Sequence, residues 1–288
     1  MKYKFLRFPE GKCKAVTFSY DDGSVHDLRL VEVLNKHNIK CTFNICSGRL
    51  NNNDGWSLNA QQVKENFIDA GHEVAIHGKQ HMAIGTQRPI DGIREVLDCR
   101  LELEEIFGQI IRGLAYADSG IRVLLNGTTY ETVREYLKDL DIAYARSLGN
   151  DNCGFMLPED FYRWYPSYHH ENPKLFDYIN YFLGTDPNKL YSSNRAPWLF
   201  YLWGHAHEFH NNNNWEKLDQ ICEKLGGRDN IWYATNIEVC DYVKAFESLI
   251  FSADGRRIYN PTLKTVWIDI DGELYTIKSG ETIFIENK

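Results

Sequence analysis

Short apolar runs alternate with longer helical stretches through most of this 288-residue chain, and that alternation restricts the fold more than any other feature. Residues 15–20, 40–46, 71–76, 110–116, 142–147, 198–203 and 231–234 read as strands. Helical spacing occupies 27–37, 59–70, 89–107, 129–139, 173–183, 213–225 and 237–250. Repeated strand-then-helix units need parallel strands, because each helix serves as the crossover. About seven such units favour an α/β barrel over an open sheet. From residue 251 the pattern changes to short strand-like runs punctuated by Gly255, Pro261, Gly272 and Gly280. Turn signals this close together read as a small antiparallel β appendage. The predicted organisation is therefore a main domain over 1–250 and an appendage over 251–288.

Charge narrows the partners. Acidic residues number 40 against 32 basic ones, a net of −8, so the chain is ill suited to a phosphate backbone and no nucleic acid is expected. No apolar run approaches the roughly 18–20 residues of a membrane span, and no membrane partner is expected. The first thirteen residues carry scattered charges with no apolar block behind them, unlike a secretory leader. Seven cysteines, at 13, 41, 46, 99, 153, 222 and 240, form no CxxC pair. An odd set of this kind reads as free thiols in a reducing compartment, and the expected location is cytoplasmic.

Three clusters capable of chemistry each follow a predicted strand, at the end where β/α folds gather their active sites. The first is Asp21, Asp22 and Gly23. Adjacent carboxylates repel unless a cation or shared proton compensates them, and the glycine permits a tight turn. The second is His77 and His81, whose i, i+4 spacing predicts a helical turn with both imidazoles on one face. The HExxH protease signature uses the same spacing, but residue 78 is glycine, so a base must come from elsewhere. The third comprises Trp203, His205, His207 and Glu208, where a histidine at a strand mouth is placed for proton transfer. Taken singly, each cluster also fits an ordinary loop or cap. Together, one aspartate and two histidines supply three ligands for a divalent metal with a position left open for water, while the other carboxylate and a distant histidine can act as base and acid.

The order Asp21-Asp22-Gly23, then His77 and His81 in HxxxH, then the late His205, resembles the polysaccharide deacetylase family (carbohydrate esterase family 4, the NodB-homology domain). The similarity extends over about residues 14–242. It implies a distorted, incomplete (β/α) barrel and metal-dependent removal of acetyl groups from an acetylated carbohydrate, on nitrogen or oxygen. By position, Asp21 matches the general base, Asp22, His77 and His81 the metal ligands, and His205 the general acid. The implied cofactor is a divalent metal: zinc, cobalt or another such ion.

Two departures stand out. Gly78 takes the place of the Ser or Thr that braces the family's metal loop. In the third motif, an Arg–x–Pro–aromatic–Gly turn, the arginine becomes Ala115 and the proline Ala117. Arg112 or Arg146 could replace the lost guanidinium, and Arg146 is preferred because it ends a strand. His207 competes with His205 as acid, since two residues apart in a strand they would share a face. Substrate contacts are expected from Tyr116, Arg146, His169, His170, Trp203 and His207, with a buried polar pair the alternative for His169 and His170. Two rival functions remain at this stage, a catalytically silent carbohydrate-binding protein and a hydrolase of another non-peptide amide or ester.

Overall fold

All eight residues of Lys14–Asp21 are buried, as befits a strand covered on both faces and paired along both edges. The fold is organised around it. The computed structural model describes residues 3–148 and 154–286. Cys153 lies outside the described residues, and the other six cysteines are free. After β1 (Lys4–Arg7), the chain lays down β2 (Lys14–Asp21), β3 (Cys41–Ile45), β4 (Glu73–Ile76), β5 (Gly113–Ala115) and β6 (Tyr144–Arg146). It continues with β7 (Tyr168–His169), β8 (Trp198–Gly204) and β9 (Ile231–Tyr233). The intervening helices are α1 (Asp27–Lys36), α2 (Ala60–Val63), α3 (Pro89–Phe107), α4 (Tyr130–Asp139), α5 (Leu175–Gly184), α6 (Ala206–Asn211), α7 (Trp215–Leu225) and α8 (Asn236–Glu247).

The strands β2 to β9 form one parallel sheet in the order β6-β5-β4-β3-β2-β8-β7, with β9 also on β2. One edge of β2 pairs with β8 from Lys14 to Tyr20. The other is divided, its first half pairing with β9 and its second with β3. The sheet curls into a half-barrel whose two rims are spanned by a single segment. Trp164 exchanges backbone hydrogen bonds with Ala145 and Ser147 at the β6 rim, and Ser167 donates to Tyr201 on β8. The incomplete barrel is thus the expected one. All seven predicted strands are present, and β7 is an eighth that two residues are too few to announce.

Three predicted elements change their limits. The 110–116 strand shrinks to β5, because Ile110 is exposed and the Ile111 N–H is taken by the Glu104 carboxylate. The 59–70 helix keeps its start, where Asn59 and Gln62 cap one another, but continues as a wide π turn over Lys64–Ile68. The tail forms β10 (Ile250–Phe251), β11 (Arg257–Tyr259), β12 (Val266–Ile270), β13 (Glu273–Ile277) and β14 (Thr282–Phe284), in two antiparallel three-stranded sheets. One of these sheets recruits β1, Lys4 pairing with Ile270 and Arg7 with Trp267. Val266, Ile268, Ile270 and Ile277 pack there against Ala245 and Leu249 at the end of α8. Among the described residues, no helix is long and apolar enough to cross a membrane.

At the end of the barrel opposite the strand C-termini, Glu73 accepts hydrogen bonds from Tyr144 Oη (2.7 Å), Thr42 Oγ1 (2.8 Å) and the Ile237 N–H (2.9 Å). Burial outweighs these bonds and pushes its carboxyl from 4.5 up to about 7. Between those two values the native chain holds a proton that the unfolded chain has released. The contribution of Glu73 to stability is therefore present below pH 4.5 and is lost as pH rises towards 7. Thermal melts at pH 5 and pH 7.5 test this: the wild type should lose more of its midpoint temperature across the interval than Glu73→Gln. Equal losses would show that Glu73 does not titrate in this window.

Candidate active site

Directly after β2 the backbone takes two successive left-handed residues, Asp22 (φ 82°) and Gly23 (φ 68°). This costs little for glycine but is uncommon for an aspartate, which makes Asp22 a held conformation. The turn sends the two neighbouring carboxylates to different partners. Asp21 is buried. Its Oδ1 accepts from Asn44 Nδ2 at 2.8 Å, and its Oδ2 pairs with the Arg146 guanidinium. Asp22 faces the loop after β4, where its Oδ1 lies 3.2 Å from His81 Nε2 and 3.7 Å from His77 Nε2, with Arg49 Nη1 at 3.5 Å.

The HxxxH segment is not the predicted helical turn. Gly78 (φ 80°) and His81 (φ 62°) are both left-handed, and residues 77–83 form a loop wrapped around Glu95 of α3. The Glu95 carboxylate accepts from the Gln80 and Met82 N–H groups at 2.7 and 3.0 Å, and its carbonyl accepts from Lys79 N–H. A Cβ at residue 78 would lie 2.6 Å from Glu95 Oε1. Glycine thus suits residue 78, where φ is positive and a carboxylate from α3 occupies and braces the loop.

Asp22, His77 and His81 present donor atoms that all lie within 4.8 Å of one another. The donors themselves show that the set suits a divalent metal. His77 Nδ1 donates to the Ala115 carbonyl at 2.9 Å, which leaves the lone pair on Nε2, the atom facing Asp22. Burial holds the His77 imidazole towards its neutral, ligating form, against the pull of Asp21 and Asp22.

Burial would raise the Asp21 carboxyl, but the Arg146 guanidinium, with His77 and His205, outweighs it and keeps the group below the ordinary carboxylate range. Asp22 lies below that range too, its burial overcome by the hydrogen bond to His81 and by the charge of the surrounding imidazoles. Opposite them, β8 ends at Gly204 and His205 precedes α6. His205 and His207 therefore do not share a strand face. His205 Nε2 stands 3.9 Å from Asp21 Oδ2, whereas His207 packs against Trp56, ring centroids 6.1 Å apart.

The remaining predicted residues divide. Arg146 is fully buried beneath the Trp203 ring, 4.7 Å from its centroid, and lies in register with Ala115 on the neighbouring strand. Arg146 thus stands at the same height as Ala115, one strand over. Arg112 lies elsewhere, paired with Asp241 at 2.9 Å. Tyr116 is buried with its hydroxyl donating to the Tyr162 carbonyl, so it belongs to the barrel wall. His170 is completely buried, His169 partly so, and both turn Nε2 towards Glu208 at 3.2 and 3.3 Å. Sequence reasoning missed Asn44, Glu95 and Trp56. Only Asn44 had a usable signal, an amide in a fully buried strand.

The polysaccharide deacetylase family matches residues 9–145. No curated protein matches the chain. Among solved structures, a candidate polysaccharide deacetylase from Mycobacterium smegmatis is similar at 17% identity and a TM-score of 0.54, covering 86% of this chain and 96% of that one. Puue allantoinase is similar at 12% identity and a TM-score of 0.54, covering 81% and 91%. The chain spans 55% of the Streptococcus pyogenes deacetylase PplD, with 46% of its own length, 19% identity and a TM-score of 0.40.

Proposed function

We propose that the chain is a metal-dependent hydrolase removing acetyl groups from an acetylated carbohydrate, a reading supported by the match of the polysaccharide deacetylase family to residues 9–145. The observation that carries this reading is the convergence of Asp22, His77 and His81, with Asp21 3.9 Å from both His77 and His205. A fold shared with an allantoinase does not fix the substrate, so the reading rests on the site and the family.

Asp22, His77 and His81 would hold the ion, a set suited to zinc or cobalt that leaves a coordination position open. When bound, the ion supplies Lewis acidity to the acetyl carbonyl and to water. Asp21 accepts the proton from the attacking water, its carboxylate kept ionised by Arg146 and aimed by Asn44. As the tetrahedral centre collapses, the bond from the acetyl carbon to the sugar nitrogen or oxygen breaks. His205 then delivers a proton to the departing atom, so that acetate and a free amine or hydroxyl result. The Nε2 position of His205 opposite Asp21 favours it over His207 in this role.

Acetate release from acetylated chito-oligosaccharides and acetylated xylan tests the proposal. Release should disappear on chelation and return with added zinc or cobalt. Binding without release under any metal would mark a silent carbohydrate-binding protein, and release untouched by chelator would exclude the metal's part.

A further inference from the structure

Glu208 stands in the first turn of α6, three residues after His205, and one of its oxygens gathers imidazoles from three directions. Oε2 lies 3.2 Å from His170 Nε2, 3.3 Å from His169 Nε2 and 3.4 Å from His205 Nδ1. The same atom accepts the His205 backbone N–H at 3.1 Å, so side chain and main chain of His205 are held together. His169, His170 and Glu208 have the composition of a cation site. The tautomer of His169 argues against one. Its Nδ1 accepts the Glu171 N–H at 3.1 Å, so the neutral ring carries its proton on Nε2, aimed at Glu208. A cation at that nitrogen would require an imidazolate.

The fan is therefore a set of close charge contacts around one carboxylate, closed by the His205 backbone hydrogen bond. His170 cannot swing away, since it is fully buried, stacked on Phe209 at 4.1 Å between centroids and pressed against Gly204. We propose that Glu208 is the positioning residue for His205. Flanked by His169 and His170, its carboxylate stands 3.4 Å from Nδ1 of His205, favours the proton on that nitrogen, and leaves Nε2 as the atom that faces Asp21. A carboxylate behind an imidazole fixes its tautomer and favours the protonated ring, as the third group of a hydrolytic triad does. The histidines hold Glu208 itself well below the usual carboxylate range, overcoming its burial, so it remains an anion. His169 and His170 thereby support the acid rather than line a sugar-binding surface. This inference rests on the reading of His205 as proton donor.

Glu208→Gln, which keeps the shape and one acceptor oxygen but loses the charge, tests it on two substrates. With acetylated chito-oligosaccharide, kcat should fall by about 10–100-fold, the usual effect of removing an orienting partner, while KM stays within about threefold. With 4-nitrophenyl acetate, whose phenolate leaves without a proton, the rate should change less than about threefold. In a His205→Ala background, Glu208→Gln should add nothing on either substrate. Equal losses on both substrates would indicate structural damage and overturn the proposal, as would wild-type kcat for Glu208→Gln when His205→Ala is inactive. A second equivalent of zinc bound by the wild type and lost in Glu208→Gln would overturn it in favour of a cation site. Full oligosaccharide activity in His205→Ala would instead defeat the underlying assignment of the acid.

Discussion

Asp21→Asn, purified with its full complement of metal, should release acetate from acetylated chito-oligosaccharide roughly 10²–10⁴-fold more slowly than wild type, while Asp22→Ala should emerge without metal and without activity. The two residues are adjacent, yet the turn at Asp22 gives them separate tasks. Asp22 faces His77 and His81, so its removal leaves two imidazoles where three ligands are needed. Asp21 lies behind them, held by Asn44 and Arg146. The asparagine side chain keeps an oxygen for one of those donors but has no basicity, so it cannot take the proton of the attacking water. Elemental analysis beside kcat separates the two outcomes. An Asp21→Asn protein with metal bound and a near-normal rate would show that the base lies elsewhere.

The sequence carried the site further than it carried the details that aim it. Strand-then-helix alternation located seven of the eight parallel strands, since each needs only a buried apolar run of its own. The clusters at Asp21, His77 and His205 were legible because they fall just past those runs. What sequence could not supply was register. Asn44 reaches Asp21 because the two are paired across β2 and β3, and Arg146 reaches it from beside Ala115 across β5 and β6. Neither relation is encoded in local spacing. The HxxxH loop failed as a helical turn for a similar reason: Glu95, a helix away, takes its N–H groups and demands glycine at 78. Nor could a pattern of short windows show that β1 pairs with β12, from the opposite end of the chain. Glu208 stood in plain view three residues beyond His205, but its part emerges only when β7 brings His169 and His170 beside it.

The register of Ala115 against Arg146 leads to a second large effect. Arg146→Met should destabilise the protein by about 3–5 kcal/mol and lower acetate release at least about tenfold, because it strands the Asp21 carboxylate in a buried site. Methionine fills most of the volume and can lie under the Trp203 ring, so the loss is chiefly that of the charge partner rather than of packing. A double-mutant cycle isolates it. In an Asp21→Asn background, the same Arg146→Met change should cost far less, since both charges are then gone and nothing buried is left uncompensated. Arg112→Ala is the natural control: its pairing with Asp241 is partly exposed and should contribute no more than about 1 kcal/mol, with acetate release unchanged. Denaturant melts of the four cycle members, with Arg112→Ala alongside, decide the matter. Additive costs for Asp21 and Arg146 would mean that the two groups do not depend on one another. A loss of acetate release on Arg112→Ala instead would return the guanidinium role to the residue that the register rejects.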